Sequence, residues 1–175
     1  MAWRRHARNM GAAILIGGCG DALMQHQEGA SELDSGRTLR LVSFRAVHAP
    51  VIDSCWRWFD KRIAVGGALG IAAKIAADQG VLMPPSVIGF FLWQGALEGL
   101  SLDGCIERAT QSFVPTATFG LPFWCCVHAV TFGVFPPQWR MPWASVCAVG
   151  WNALISGQNQ AAIRRELKHG SDASN

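Results

Sequence analysis

The chain has 175 residues, half of them apolar and only 15% charged, with a formal net charge of +3. That length holds one domain, and so small a charge, spread over several short clusters, excludes a nucleic-acid-binding surface. Six cysteines show neither the density of a disulfide scaffold nor the paired spacing of a metal site, so they read as small buried hydrophobes and no metal or cofactor is expected.

The N-terminus, Met1 to Met10, carries Arg4, Arg5 and Arg8 with no acid before Asp21, which resembles the basic, acid-poor start of a mitochondrial presequence. It reads as retained, either as an internal signal or as a basic anchor. A first apolar segment runs from Gly11 to Met24. Polar residues from Gln25 to Arg40 predict a loop with its turn at Ser35-Gly36. A second segment, Leu41 to Phe59, contains Arg45 and Asp53. Eight residues apart on a helix, they project about 80° from one another and can face either a bundle interior or a neighbouring subunit, which makes them candidate partner contacts.

The region from Ile63 to Ala77 is rich in glycine and alanine, with Lys74 four residues before Asp78, the spacing of an intrahelical ion pair. Gln79 to Leu97 is free of charge for 19 residues and predicts a span closed by Glu98-Gly99. A loop with Asp103, Glu107 and Arg108 leads to the longest apolar stretch, Ala109 to Ile163, whose 55 residues carry one formal charge, Arg140.

That charge lies in Phe135-Pro136-Pro137-Gln138-Trp139-Arg140-Met141-Pro142-Trp143, and each flank can supply the roughly 20 apolar residues a crossing needs. The stretch predicts a membrane hairpin with arms over 109–139 and 141–163. Its prolines would end the helices, while Trp139, Trp143 and Arg140 would anchor at headgroup level, Arg140 beside the phosphate of an anionic lipid such as cardiolipin. A polar tail occupies 164–175. The whole predicts an all-α integral membrane bundle of four to five spans forming one domain over 1–175, with small residues letting helices approach. Basic clusters near both termini favour an even number of crossings.

The ordered motifs resemble the family of the twenty-two-kilodalton peroxisomal membrane protein and its mitochondrial inner-membrane relative Mpv-seventeen. Gly20-Asp21 with Gln25 ends the first span, and Gly36-Arg37-Thr38-Leu39 opens the second. Pro50, Trp56 and Asp60 stand at the family's spacing, as do Lys74, Asp78-Gln79, Pro84 and Glu98-Gly99-Ser101. Trp124, Phe132, Pro136, Arg140, Trp151-Asn152 and Ser156 follow its longest signature. The chain departs from the family at Cys125, His128 and Thr131, where proline, glutamine and asparagine are usual, and at Arg45 and Asp53, where residues are usually small or uncharged. The resemblance implies a membrane protein of the mitochondrial inner membrane, or alternatively of the peroxisome, that lets small solutes or ions pass.

Charged side chains inside a span need a partner or an aqueous path. Lys74, Asp78 and Gln79, with Asp21, Gln25, Glu98 and Asn152, are the candidate lining of such a path; an ion pair between Lys74 and Asp78 is the plainer alternative. His128 reads as a satisfied core histidine. No motif for nucleophilic catalysis or phosphate binding is present, and the chain reads as a non-enzyme. Two functions follow: passive channel-like passage of small solutes or ions, or a structural accessory subunit of a larger mitochondrial complex such as a respiratory-chain assembly. Its partners would be membrane lipids, and either subunits of that complex or further copies of the same chain.

Overall fold

A computed structural model describes residues 2–152, and all of its regular structure there is helical. Helix α1 spans Ala2–Gln27, α2 Ser35–Arg62, α3 Gly67–Ala77, α4 Met83–Leu97 and α5 Leu102–Gly133, with a π turn at Asp78–Leu82 joining α3 to α4. A last helix, α6, runs over 137–152. The predicted residues Ser156 and 164–175, and the end of the second hairpin arm, lie outside the described residues.

Two loops are made by glycine. Gly29 and Gly99 adopt φ of +81° and +83°, a conformation that costs glycine little. Each places a left-handed residue just past a helix: Ala30 N–H donates to Gln25 O while Gly29 N–H donates to His26 O, and Leu100 and Gly99 repeat the pattern onto Gly95 and Ala96. The first loop is shorter than predicted. Asp34 caps α2 by accepting from Arg37 N–H, so Arg37, Thr38 and Arg40 are helical.

The π turn has a local cause. Pro84 and Pro85 lack N–H groups, and their rings press on the carbonyls four residues before them. The preceding turn widens, with Met83 N–H donating to Asp78 O. One continuous helix from 67 to 97 results, where two separate segments were predicted.

Side-chain pairs fix the topology. Arg5 meets Asp53 and Thr38 meets Asp21, so α1 and α2 are antiparallel. Lys74 to Asp60, Trp56 to Asp78, His48 to Ser86 and Arg40 to Glu98 form a ladder that lays α3 and α4 antiparallel along α2. Arg108 at Glu98 and His128 at Asp78 then align α5, and Trp143 and Trp151 pack α6 back along it. The described chain therefore traverses the bundle five times, in alternating directions. Five is the upper of the two counts expected; the distal basic cluster that favoured an even number, Arg164 to Lys168, lies outside the described residues.

The surface is inverted relative to a soluble protein. Asn9, Asp21, Gln25, Asp53, Asp78, Gln79, His128, Thr131, Arg140 and Ser145 are buried, while Leu15, Val47, Leu69, Val81, Val114 and Phe119 are more than half exposed. Polar groups inside and apolar groups outside suit lipid as the surrounding solvent. The helices at 67–97 and 102–133 are long and apolar enough to cross a membrane by length and composition. Helices α1 and α2, of 26 and 28 residues, are shorter and more polar, and the acids Asp21 and Asp53 within them are buried. An apolar core of Ala13, Ala49, Ile52, Trp56, Phe59, Phe132, Met141 and Ala144 ties α1, α2, α5 and α6 together.

The two ends differ in charge. Arg4, Arg8, Lys61 and Arg62 are exposed at one end, together with Trp3, Trp58 and Trp139. Glu32, Asp34, Asp103 and Glu107 are exposed at the other. Of the cysteines, Cys19 and Cys126 are exposed on the outer surface, so burial does not extend to them as expected.

Candidate functional site

A cavity of about 760 Å³ runs inside the bundle from its acidic end toward its middle. It has three levels. At the mouth, Arg37 bridges Asp21 and Glu28, with Nε 3.0 Å from Asp21 Oδ1 and Nη1 2.6 Å from Glu28 Oε2. On the opposite wall Glu98 holds Arg108 and, more loosely, Arg40 at 3.6 Å.

The middle level is aromatic and polar. Phe44 packs edge-on against Phe90 and Trp93 and stacks on His48. His48 Nε2 lies 2.8 Å from Ser86 Oγ, and Trp93 Nε1 donates to Ser43 Oγ at 3.0 Å. Arg45 lines this level, and no ion-pair partner within reach is found for it among the described residues. Its stem crosses Gly17, where any Cβ would stand 2.8 Å from Arg45 Cδ. Glycine at 17 therefore makes room for arginine at 45.

The floor is built on Asp78. Trp56 Nε1 donates to Oδ1 at 2.5 Å, Gln79 Nε2 donates to Oδ2 at 2.9 Å, and His128 Nε2 stands 3.0 Å from Oδ2. Three donors satisfy a carboxylate that is only 5% exposed. Gln79 Oε1 and His128 Nδ1 have no partner among the described residues, although both residues line the cavity. Trp56, His128 and Phe132 stack edge to face beneath, with centroids 5.4 and 5.6 Å from Trp56, and close the space. A separate cluster lies toward the basic end, where Asp60 takes Lys74 at 2.6 Å on one oxygen and Arg140 at 2.6 Å on the other.

The fold thus brings Asp21, Asp78, Gln79, Glu98 and Asn152 onto one cavity and leaves Gln25 and Lys74 off its lining. Gln25 is buried beside it. Its Nε2 donates to Asp21 and Thr38, and its Oε1 accepts from Asp34 N–H at 2.6 Å, which ties α1 to α2.

Four expectations are corrected. Lys74 does not pair with Asp78, because Asp60 on α2 reaches it and the π turn points Asp78 between α2 and α5. Arg140 is not a headgroup anchor. Only 7% exposed, it is held by Asp60, by Phe135 O at 3.1 Å and over the Phe132 ring.

Trp143 likewise turns inward, stacking on Phe135, whereas Trp139 is exposed at the basic end. Asp53 is 2% exposed and held by Arg5 and Arg57, and Arg45 faces the cavity, so neither presents a charge to a neighbouring subunit. Sequence reasoning missed Trp56, His48, Ser86, Arg37 and Asp60 as polar partners. The Pro84-Pro85 pair was the one local signal that could have foretold the turn at Asp78.

A family model described as the Mpv17 / PMP22 family matches residues 95–156. Protein sym-1 of Neurospora crassa is 33% identical over 152 residues, covering 83% of this chain and 86% of that protein. Protein SYM1 of Yarrowia lipolytica is 28% identical over 153 residues, covering 87% and 72% respectively. The mitochondrial inner membrane protein Mpv17 of Homo sapiens is 26% identical over 167 residues, covering 88% and 95%. No solved structure matches. The match to most of the Neurospora protein at this identity, together with the family model across α5 and α6, makes the chain a member of the Mpv17 / PMP22 family and a helical protein of the mitochondrial inner membrane.

Proposed function

We propose that this protein provides a passive, channel-like route for small polar solutes or ions, in which the cavity is a vestibule and the Asp78 layer is its closed gate. The observation that carries the reading is a cavity of about 760 Å³ lined by Asp21, Arg45, Asp78, Gln79 and Glu98 within an apolar exterior. Charges in a span are costly unless they pair or line a water-filled path. At the mouth, acids and arginines alternate, which wets the entrance without fixing a single sign of charge. At the floor, Trp56 and His128 hold Asp78 in a layer that must part for anything to pass.

The test is purified protein in planar bilayers. Steps of conductance are expected, and Asp78→Asn, which removes the charge holding the three donors together, raises open probability. Bilayers that stay silent at high protein density overturn the proposal. If the protein also migrates on a native gel with a complex of many subunits, a structural accessory role replaces it.

A further inference from the structure

We infer that Arg45 is a binding site for the oxyanion group, carboxylate or phosphate, of a small soluble solute that enters the cavity from its acidic end. The inference rests on the route proposed above and names the class of solute it takes.

Among the described residues, four arginines line the cavity, Arg37, Arg40, Arg45 and Arg108, against four acids, Asp21, Glu28, Asp78 and Glu98. The charges balance in number and not in place. Arg37 is spent on Asp21 and Glu28, while Arg40 and Arg108 share Glu98. Asp78 is spent on Trp56, Gln79 and His128. Asp21, whose charge reaches Arg45, has given one oxygen to Arg37 and the other to Gln25 and Thr38. Arg45 is left with no ion pair among the described residues.

An unpaired guanidinium inside a span costs several kcal/mol, and its fork geometry matches a carboxylate or phosphate. Three features fit a bound solute. Gly17 supplies the space that lets the side chain lie across α1. Phe44 and Phe90 wall the same level and can cover an apolar body. Deeper in, Gln79 and His128 line the same cavity, and each keeps one polar atom, Oε1 and Nδ1, without a partner among the described residues.

Two measurements test this. In detergent, inorganic phosphate and succinate at fixed ionic strength should raise the melting temperature of the wild-type protein relative to chloride. Arg45→Gln should lose the shift and Arg45→Lys should keep part of it. In bilayers under a potassium chloride gradient, the wild-type reversal potential should favour chloride, and Arg45→Gln should lose that preference.

An unchanged shift or reversal potential in Arg45→Gln overturns the inference and leaves the conduction proposal intact. Silent bilayers overturn conduction, and the melting shift alone then decides whether Arg45 binds an oxyanion. Stabilisation by cardiolipin vesicles and not by phosphate or succinate assigns Arg45 to a lipid headgroup and overturns the soluble-solute assignment.

Discussion

The Asp60 cluster can be tested as a single energetic unit. Arg140→Met removes a 2.6 Å charge-assisted bond to Asp60 and strips Phe135 O of its 3.1 Å partner, in a side chain only 8% exposed. The first loss is about 1.5–3 kcal/mol and the second about 1 kcal/mol, so the variant should lose about 2.5–4 kcal/mol. Asp60→Asn leaves both Lys74 and Arg140 unpaired and should lose a similar amount. Because the two changes delete one shared contact, the double variant should be less damaged than the sum, with a coupling of about 1.5–3 kcal/mol. Reversible unfolding in mixed micelles, followed by tryptophan fluorescence, measures all four corners of the cycle. An arginine that snorkels to a headgroup would leave the cycle additive to within about 0.5 kcal/mol, and that result would refute the buried pair.

Three further expectations follow from the packing. Gly20→Leu should part α1 from α6, since a Cβ there would fall 2.4 Å from Val149 Cγ2; a loss of about 1–3 kcal/mol is expected, with Val149→Ala restoring folded yield. Pro84→Ala with Pro85→Ala should convert the π turn toward a regular helix and rotate Asp78 away from Trp56, read as a changed tryptophan emission maximum; an unchanged spectrum counts against proline as the cause. For orientation, Ala64→Cys and Leu102→Cys in a cysteine-free background sit in the loop at the basic end and at the first residue of α5 at the acidic end. Loops rich in lysine and arginine stay inside, so an impermeant maleimide should reach position 64 only from the matrix and position 102 only from the opposite side.

Helices were legible where charge was absent. The stretch from Ala109 onward declared a hairpin, and Gly133 to 137 is where it turns, a few residues before the expected centre of the break. Polarity misled where helices carry polar faces inward. Arg37, Thr38 and Arg40 read as loop because nothing local reveals that they line a cavity mouth. Inter-helix partners were also beyond reach: Asp60 meets Arg140 across 80 positions and Gln25 meets Thr38 across 13, separations no periodicity reports. Lys74 and Asp78 had a plausible partner at the helical spacing, and the better one for each lay on another helix. The cavity residues Asp21, Asp78, Gln79, Glu98 and Asn152 were legible because an uncompensated polar group in an apolar run is conspicuous; their organisation around Trp56 and Arg45 was not.

The bond between Asp60 and Arg140 also imposes an order on biosynthesis. The rungs that hold α2 to α3 and α4 form between successive traverses, so the first three can pair before the rest of the chain is inserted. Asp60 must wait with Lys74 alone until residue 140 has been made, inserted and turned inward. A chain cut short before α6 would present Asp60, Asp78 and the cavity wall to lipid through an open seam, a surface that membrane proteases and chaperones can distinguish from the finished protein. Arg140, on the last described helix, is thus the residue that reports closure of the bundle.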